Sequence, residues 1–166
     1  ALSGKEERLV SLLRERNLTI TTAESCTGGL IAKKLTDVSG ASAVFHGGVV
    51  SYVNAVKHVV LGVSGADLEK YGAVSEPVAR QMAAGARMLL HTDLAVSATG
   101  VAGPDKDDRG NAVGTVYIAL ADAEHTWCYP CHFDGTRAQI RTAAAEFALN
   151  LIVRYLAGED LQEGAL

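Results

Sequence analysis

Cysteine is scarce. Cys26, Cys128 and Cys131 are the three in 166 residues, too few and odd in number for a disulfide framework, and the set suits a reducing cytoplasm. Positive charge is not in excess either. The formal net charge is −4, which argues against nonspecific nucleic-acid binding. No apolar run approaches the roughly 20 residues a bilayer span needs. The opening ALSGKEERLV lacks the basic-then-apolar order of a signal peptide. A cytoplasmic location with no membrane partner is therefore expected. There is no G-x-G-x-x-G, no Walker motif and no histidine or cysteine set at metal-ligand spacing, so no cofactor and no metal are expected. Repeats, low-complexity tracts and linkers are also missing.

The residues that are present suit one globular domain over 1–166, with a frayed tail at 158–166. Apolar residues make up 48% and charged residues 20%, a mixture able to bury a substantial core. GKEERLVSLLRERN reads as an amphipathic helix, with Leu9, Leu12 and Leu13 on one face. LTITTAE reads as a strand and GGLIAKKLTDV as the helix after it. GGVVSYV reads as a buried strand, and Asn54 as the cap of a helix ending at Gly62. GADLEKYG makes one or two helical turns, Ser75 caps a helix over 76–91, and DLAVSATG is a third strand. TVYIALADA and HTWCYPCHF form an antiparallel pair, and 136–158 is the clearest helix. Alternating strands and helices imply an α/β fold with a mixed sheet. Ligands in such folds lie at the carboxyl ends of the parallel strands. That rule points to 25–29, 52–57 and 99–103.

Chemistry is suggested first by TTAESCTGGL. Ser25 falls where a strand gives way to a helix, beside amides with no intrahelical partner. A hydroxyl there is exposed, and an oxyanion beside it would be stabilised. The plainer alternative, that Ser25 or Thr27 only caps the helix, stays open. Cys26 competes as nucleophile. A serine needs a base, and His46, His58, His91, His125 and His132 have no telling partners. Lys57, at the positive end of a helix, can serve if its charge is disfavoured; a solvated lysine is the alternative. Arg137 and Arg141, four apart at a helix start, suggest an anionic partner. It is either a ligand phosphate or a surface carboxylate. CYPCH echoes haem-attachment and dithiol motifs but lies in a strand. DKDDRG lacks calcium ligands at its fifth and twelfth positions and reads as a solvated loop.

Taken in order, AESCTGG, GGVVSYVNAVK, LGV, GAVSEPVA, MAAGAR, TGVAGP, VGTVYIAL and the Arg137–Arg141 spacing resemble the CinA carboxyl-terminal family. That family includes stand-alone nicotinamide mononucleotide (NMN) deamidases. The resemblance runs from about Glu6 to Leu156. It implies a three-layer α/β/α sandwich with a mixed, mostly parallel sheet, and hydrolysis of the NMN carboxamide to nicotinic acid mononucleotide and ammonia. It implies no metal, no cofactor and a homo-oligomer. Ser25 matches the family nucleophile, Lys57 its base, and Tyr52 and Arg141 residues of the same centre. Thr27, Gly28, Gly29, Gly48, Asn54, Thr99, Gly100 and Arg137 are the expected substrate-lining set. Arg141 is expected to lower the lysine pKa, anchor the substrate, or both. A catalytically silent nucleotide- or protein-binding relative is the other reading. Departures fall at 105–108, at Asn111-Ala112 and at Gly135-Thr136-Arg137, where the family often has glycines, Lys-Pro and Gly-Asp-Arg.

Overall fold

Residues 4–162 are described by a computed structural model. A five-stranded sheet, in the order β2-β1-β3-β4-β5, lies between two helical layers. Its strands are β1 (Ile20–Glu24), β2 (Phe45–Val50), β3 (Leu94–Gly100), β4 (Thr115–Ala121) and β5 (Thr126–His132). Helices α1 (Gly4–Glu15), α2 (Leu30–Thr36) and α6 (Arg137–Leu156) cover one face. Helices α3 (Asn54–Leu61), α4 (Gly65–Tyr71) and α5 (Glu76–Leu90) lie on the other. β1 pairs in parallel with both β2 and β3, whereas the pairings β3–β4 and β4–β5 are antiparallel. The expected α/β/α sandwich with a mixed sheet is what forms.

The chemistry of the chain explains this layering. β1 and β3 are buried on both sides and read as apolar or small, apart from Glu24 at the end of β1. The main core, including Leu9, Leu13, Ile31, Leu35, Ile118 and Ile152, lies under α1, α2 and α6. On the other face, Ala79 and Ala83 of α5 meet Ala119 and Ala121, so helix and sheet approach closely. α2 carries the chain from β1 to β2 on one side of β1. α3, α4 and α5 then carry it across the opposite face to β3 on the other side. The crevice beyond the end of β1 is thus a topological switch point.

Several local expectations need correction. β2 is an edge strand rather than a buried one, and Val50 is half exposed. The cap of α3 is Val53, and Asn54 is the first helical residue with no capping bond. A short 3₁₀ turn at Ala41–Ala43 precedes β2 and has no period the sequence would betray. The tail is not frayed where it is described: Leu161 is buried in the main core, and Arg154 pairs with Glu159. Residues 163–166 of that tail lie outside the described residues.

Candidate active site

The loops after β1, β2 and β3 converge at the carboxyl end of the sheet. Sheet hydrogen bonding continues just past the strand ends: Ser25 N donates to Ala98 O at 2.9 Å, and Ser51 N to Glu24 O at 2.8 Å. Ser25 and Ser51 are therefore placed by the sheet itself. Beyond them opens a cavity of about 450 Å³. Its walls come from Ser25-Cys26, Tyr52 and Lys57, Ala73, the run Gly100 to Asp105, Asp107, and Arg137.

Lys57 is almost fully buried, and its Nζ lies 2.9 Å from Ser25 Oγ. The same nitrogen donates to Ser51 O at 2.8 Å and to Tyr52 O at 3.3 Å. Burial pushes the Lys57 pKa down to about 8. The arrangement satisfies both protonation states. An ammonium has three hydrogens for three oxygens. A neutral amine has two hydrogens and one lone pair. Carbonyls can only accept, so the two hydrogens go to Ser51 O and Tyr52 O, and the lone pair is left facing the serine hydroxyl. Two main-chain carbonyls thereby leave the lone pair of a neutral Lys57 directed at Ser25, an arrangement able to accept its proton.

The turn carrying Ser25 differs from a simple strand-to-helix junction. Gly28 and Gly29 have φ of 60° and 106°, which no right-handed helix contains. α2 therefore starts only at Leu30. Its tip is not free. The buried carboxylate of Glu24 accepts from Ile31 N at 2.8 Å and Ala32 N at 3.0 Å. The electropositive helix end expected beside Ser25 is thus already occupied by an anion. Gly28 N also donates within the turn, to Ser25 O. Cys26 is buried, and burial pushes its thiol up to about 12, far from a reactive thiolate.

Comparison with known proteins identifies the lineage. The model of the CinA C-terminal domain matches residues 3–156. The chain belongs to the CinA C-terminal domain family. It is 48% identical over 153 residues to a CinA-like protein of Syntrophus aciditrophicus, covering 92% of this chain and 36% of that protein. A CinA-like protein of Geobacter sulfurreducens is 51% identical over 145 residues, covering 87% and 35%. The chain thus spans about a third of the length of these curated relatives. Among solved structures, a CinA superfamily protein from Klebsiella pneumoniae superposes with a TM-score of 0.91 at 31% identity, covering 93% of this chain and 97% of that one. The competence/damage inducible protein CihA from Agrobacterium tumefaciens gives 0.88 at 36% identity, covering 93% and 94%.

Within this CinA domain the residues singled out from sequence separate into three groups. Ser25, Lys57, Tyr52, Gly100 and Arg137 meet at the cavity. Tyr52 joins in an unforeseen way: its carbonyl receives Lys57, and its phenol accepts from Arg137 at 3.0 Å. Arg141 stands behind the cavity wall. Its Nε donates to Cys26 O at 3.0 Å and its terminal nitrogen to Thr27 O at 3.1 Å. It clamps the Ser25 turn, and the lowered Lys57 pKa traces to burial rather than to this guanidinium. Gly28 accommodates that clamp, because a Cβ there would lie 2.9 Å from the Arg141 terminal nitrogen.

The remaining residues do not line the cavity. Gly29 packs toward Val50, and Gly48 leaves room for Thr22, whose Oγ1 would lie 2.2 Å from a Cβ. Thr27 and Thr99 are buried, and Thr99 donates to Ala73 O at 2.8 Å. Asn54 is exposed on α3.

Sequence reasoning missed Glu24 and Ser51, which carry no motif beyond adjacency to Ser25 and Tyr52. It read DKDDRG, residues 105–110, as a solvated loop rather than a calcium loop. Asp107 folds that loop by accepting from Arg109 N and Asn111 N, and Arg109 donates to the α4 carbonyls of Leu68, Glu69 and Lys70. The loop is largely exposed, as expected, and it also presents Asp105 and Asp107 to the cavity. Thr136, where the family often has aspartate, caps α6 in a reciprocal box with Gln139. Cys128 and Cys131 are three apart on β5, so they face opposite sides of the sheet and form no disulfide with each other. No histidine lines the cavity.

Proposed function

We propose that this domain is a nicotinamide-nucleotide amidase, hydrolysing the carboxamide of NMN to nicotinic acid mononucleotide and ammonia. The observation that carries the reading is the buried Lys57 amine 2.9 Å from Ser25 Oγ, with two carbonyls directing its lone pair. Ser25 Oγ attacks the amide carbon while Lys57 Nζ takes its proton. Lys57 returns that proton to the departing nitrogen, which leaves as ammonia. Water then gives a proton to Lys57 and its oxygen to the acyl carbon. The C–Oγ bond breaks, the proton returns to Ser25, and the acid is released. The family resemblance supports NMN as the substrate. Arg137, exposed at the mouth as the first residue of α6, is the cation suited to an anionic substituent. The test is ammonia release from NMN, from free nicotinamide and from unrelated carboxamides, with Ser25→Ala as control. Release from NMN that vanishes in the variant is expected. Equal release by the variant overturns the nucleophile assignment.

A silent nucleotide- or protein-binding module is the second reading, favoured by the longer relatives in which this domain is one part. Binding of NMN without ammonia release by folded protein would select it. The resemblance also carries a homo-oligomer. Val50, Tyr52, Val53 and Val59 are exposed on and after the β2 edge, offering an apolar face next to the cavity. Sedimentation velocity checks this expectation: Val59→Asp is expected to shift an oligomer toward monomer, and a monomeric parent protein rejects it.

A further inference from the structure

We infer that the oxyanion hole of this amidase is made by the main-chain amides of Ala102 and Gly103, not by the tip of α2. The inference rests on the amidase reading above. A tetrahedral intermediate on Ser25 needs donors aimed at its oxygen. The donors at the start of α2 are unavailable, since Ile31 N and Ala32 N both serve Glu24. Within the Ser25 turn, Gly28 N serves Ser25 O and Leu30 N serves Thr27 O. Thr27 is buried away from the cavity.

The opposite wall is different. β3 runs parallel to β1, and the bond from Ser25 N to Ala98 O carries that pairing up to the nucleophile. The chain that leaves β3 therefore passes beside Ser25 before turning toward β4. Val101 N in this segment is held by Thr115 O. Ala102 and Gly103 are buried, both line the cavity, and neither amide has an acceptor among the described residues. Buried amides without acceptors are rare, because each forfeits its hydrogen bond to water. Two in succession on the wall facing a nucleophile are donors awaiting a ligand oxygen. The loop is held rigid for this task. Arg137 donates to Gly103 O. Gly103 has φ of 87°, and a Cβ there would come 2.6 Å from Val113 Cγ1.

The probe is 3-pyridylboronic acid, whose boron accepts Ser25 Oγ and becomes a tetrahedral anion with a hydroxyl where the oxyanion would stand. Intact mass spectrometry and Ser25→Ala report whether the adduct forms at Ser25. Backbone amide NMR then reports the donors. The inference expects an adduct together with downfield shifts of the Ala102 and Gly103 amide protons, as charge-assisted hydrogen bonds form. An adduct that leaves both unshifted, while amides of 26–29 move, overturns the inference but keeps Ser25 as nucleophile. No adduct in protein with a folded spectrum overturns both the inference and the amidase reading.

Discussion

At the scale of single residues, burial sets the chemistry of Lys57. Its pKa of about 8 leaves about a tenth of molecules with a neutral amine at pH 7. With the neutral form as the base of the proposed reaction, kcat/KM is expected to rise with pH and level off above about pH 8. A pH–rate profile with no inflection near that value would reject Lys57 as base. Lys57→Met is expected to lower kcat by on the order of 10⁴-fold, as loss of one member of a nucleophile–base pair does. Arg141 acts differently, through the carbonyls of Cys26 and Thr27. Removing it strands two acceptors in a largely buried turn, costing about 1–3 kcal/mol. Arg141→Ala should lower the melting temperature and kcat while KM stays near its original value, since the guanidinium does not line the cavity. Arg141→Lys cannot reproduce the two-pronged contact. It should recover little of kcat.

Elements position these residues by packing. α3 carries Lys57 and sits against α5 at Gly85, where a Cβ would lie 1.9 Å from Leu61 O. Gly85→Ala forces the helices apart and should destabilise the fold by about 1–3 kcal/mol. The same displacement draws Lys57 from Ser25, so kcat should fall more than melting behaviour alone would suggest. Unchanged activity in a folded Gly85→Ala protein would mean that α3 tolerates the shift. Element types were legible in the sequence because periodicity and breakers agreed: the helices at 76–91 and 136–158 and the hairpin of β4 and β5 stand where those signals put them. The late start of α2 was not legible. It depends on two consecutive left-handed glycines, and glycine permits that conformation without announcing it.

For the whole molecule, a depressed lysine pKa is a statement about stability. Unfolded Lys57 titrates near 10.5 and folded Lys57 near 8. Below about pH 8 both states hold the proton, and charging the buried amine costs about 3 kcal/mol. Between these values the unfolded chain binds more protons, so stability contributed through Lys57 rises with pH. Chemical denaturation of wild type and Lys57→Met should therefore diverge in the wild type's favour by about 3 kcal/mol from pH 8 to pH 10.5. A constant difference across that range would mean the folded pKa is not lowered. The site was legible only in part at this scale. Ser25, Tyr52 and Lys57 could be placed from strand ends and the family resemblance. The resemblance put Arg141 at the centre and Arg137 in the substrate-lining set, whereas the structure puts Arg137 at the cavity and Arg141 behind its wall. Their spacing of four residues does not reveal that one faces the Ser25 turn and the other the cavity mouth.

Sequence alone determined the α/β layering, the identity of nearly every strand and helix, and the three loops that converge on the cavity. These follow from local pattern and from the rule that ligands gather at carboxyl ends of parallel strands. Tertiary structure alone decided that Lys57 is buried rather than solvated, that Glu24 occupies the tip of α2, and that Arg141 is a clamp. Each depends on contacts between residues distant in the chain or on solvent exclusion by the assembled layers. Neither quantity is encoded in any short stretch of residues.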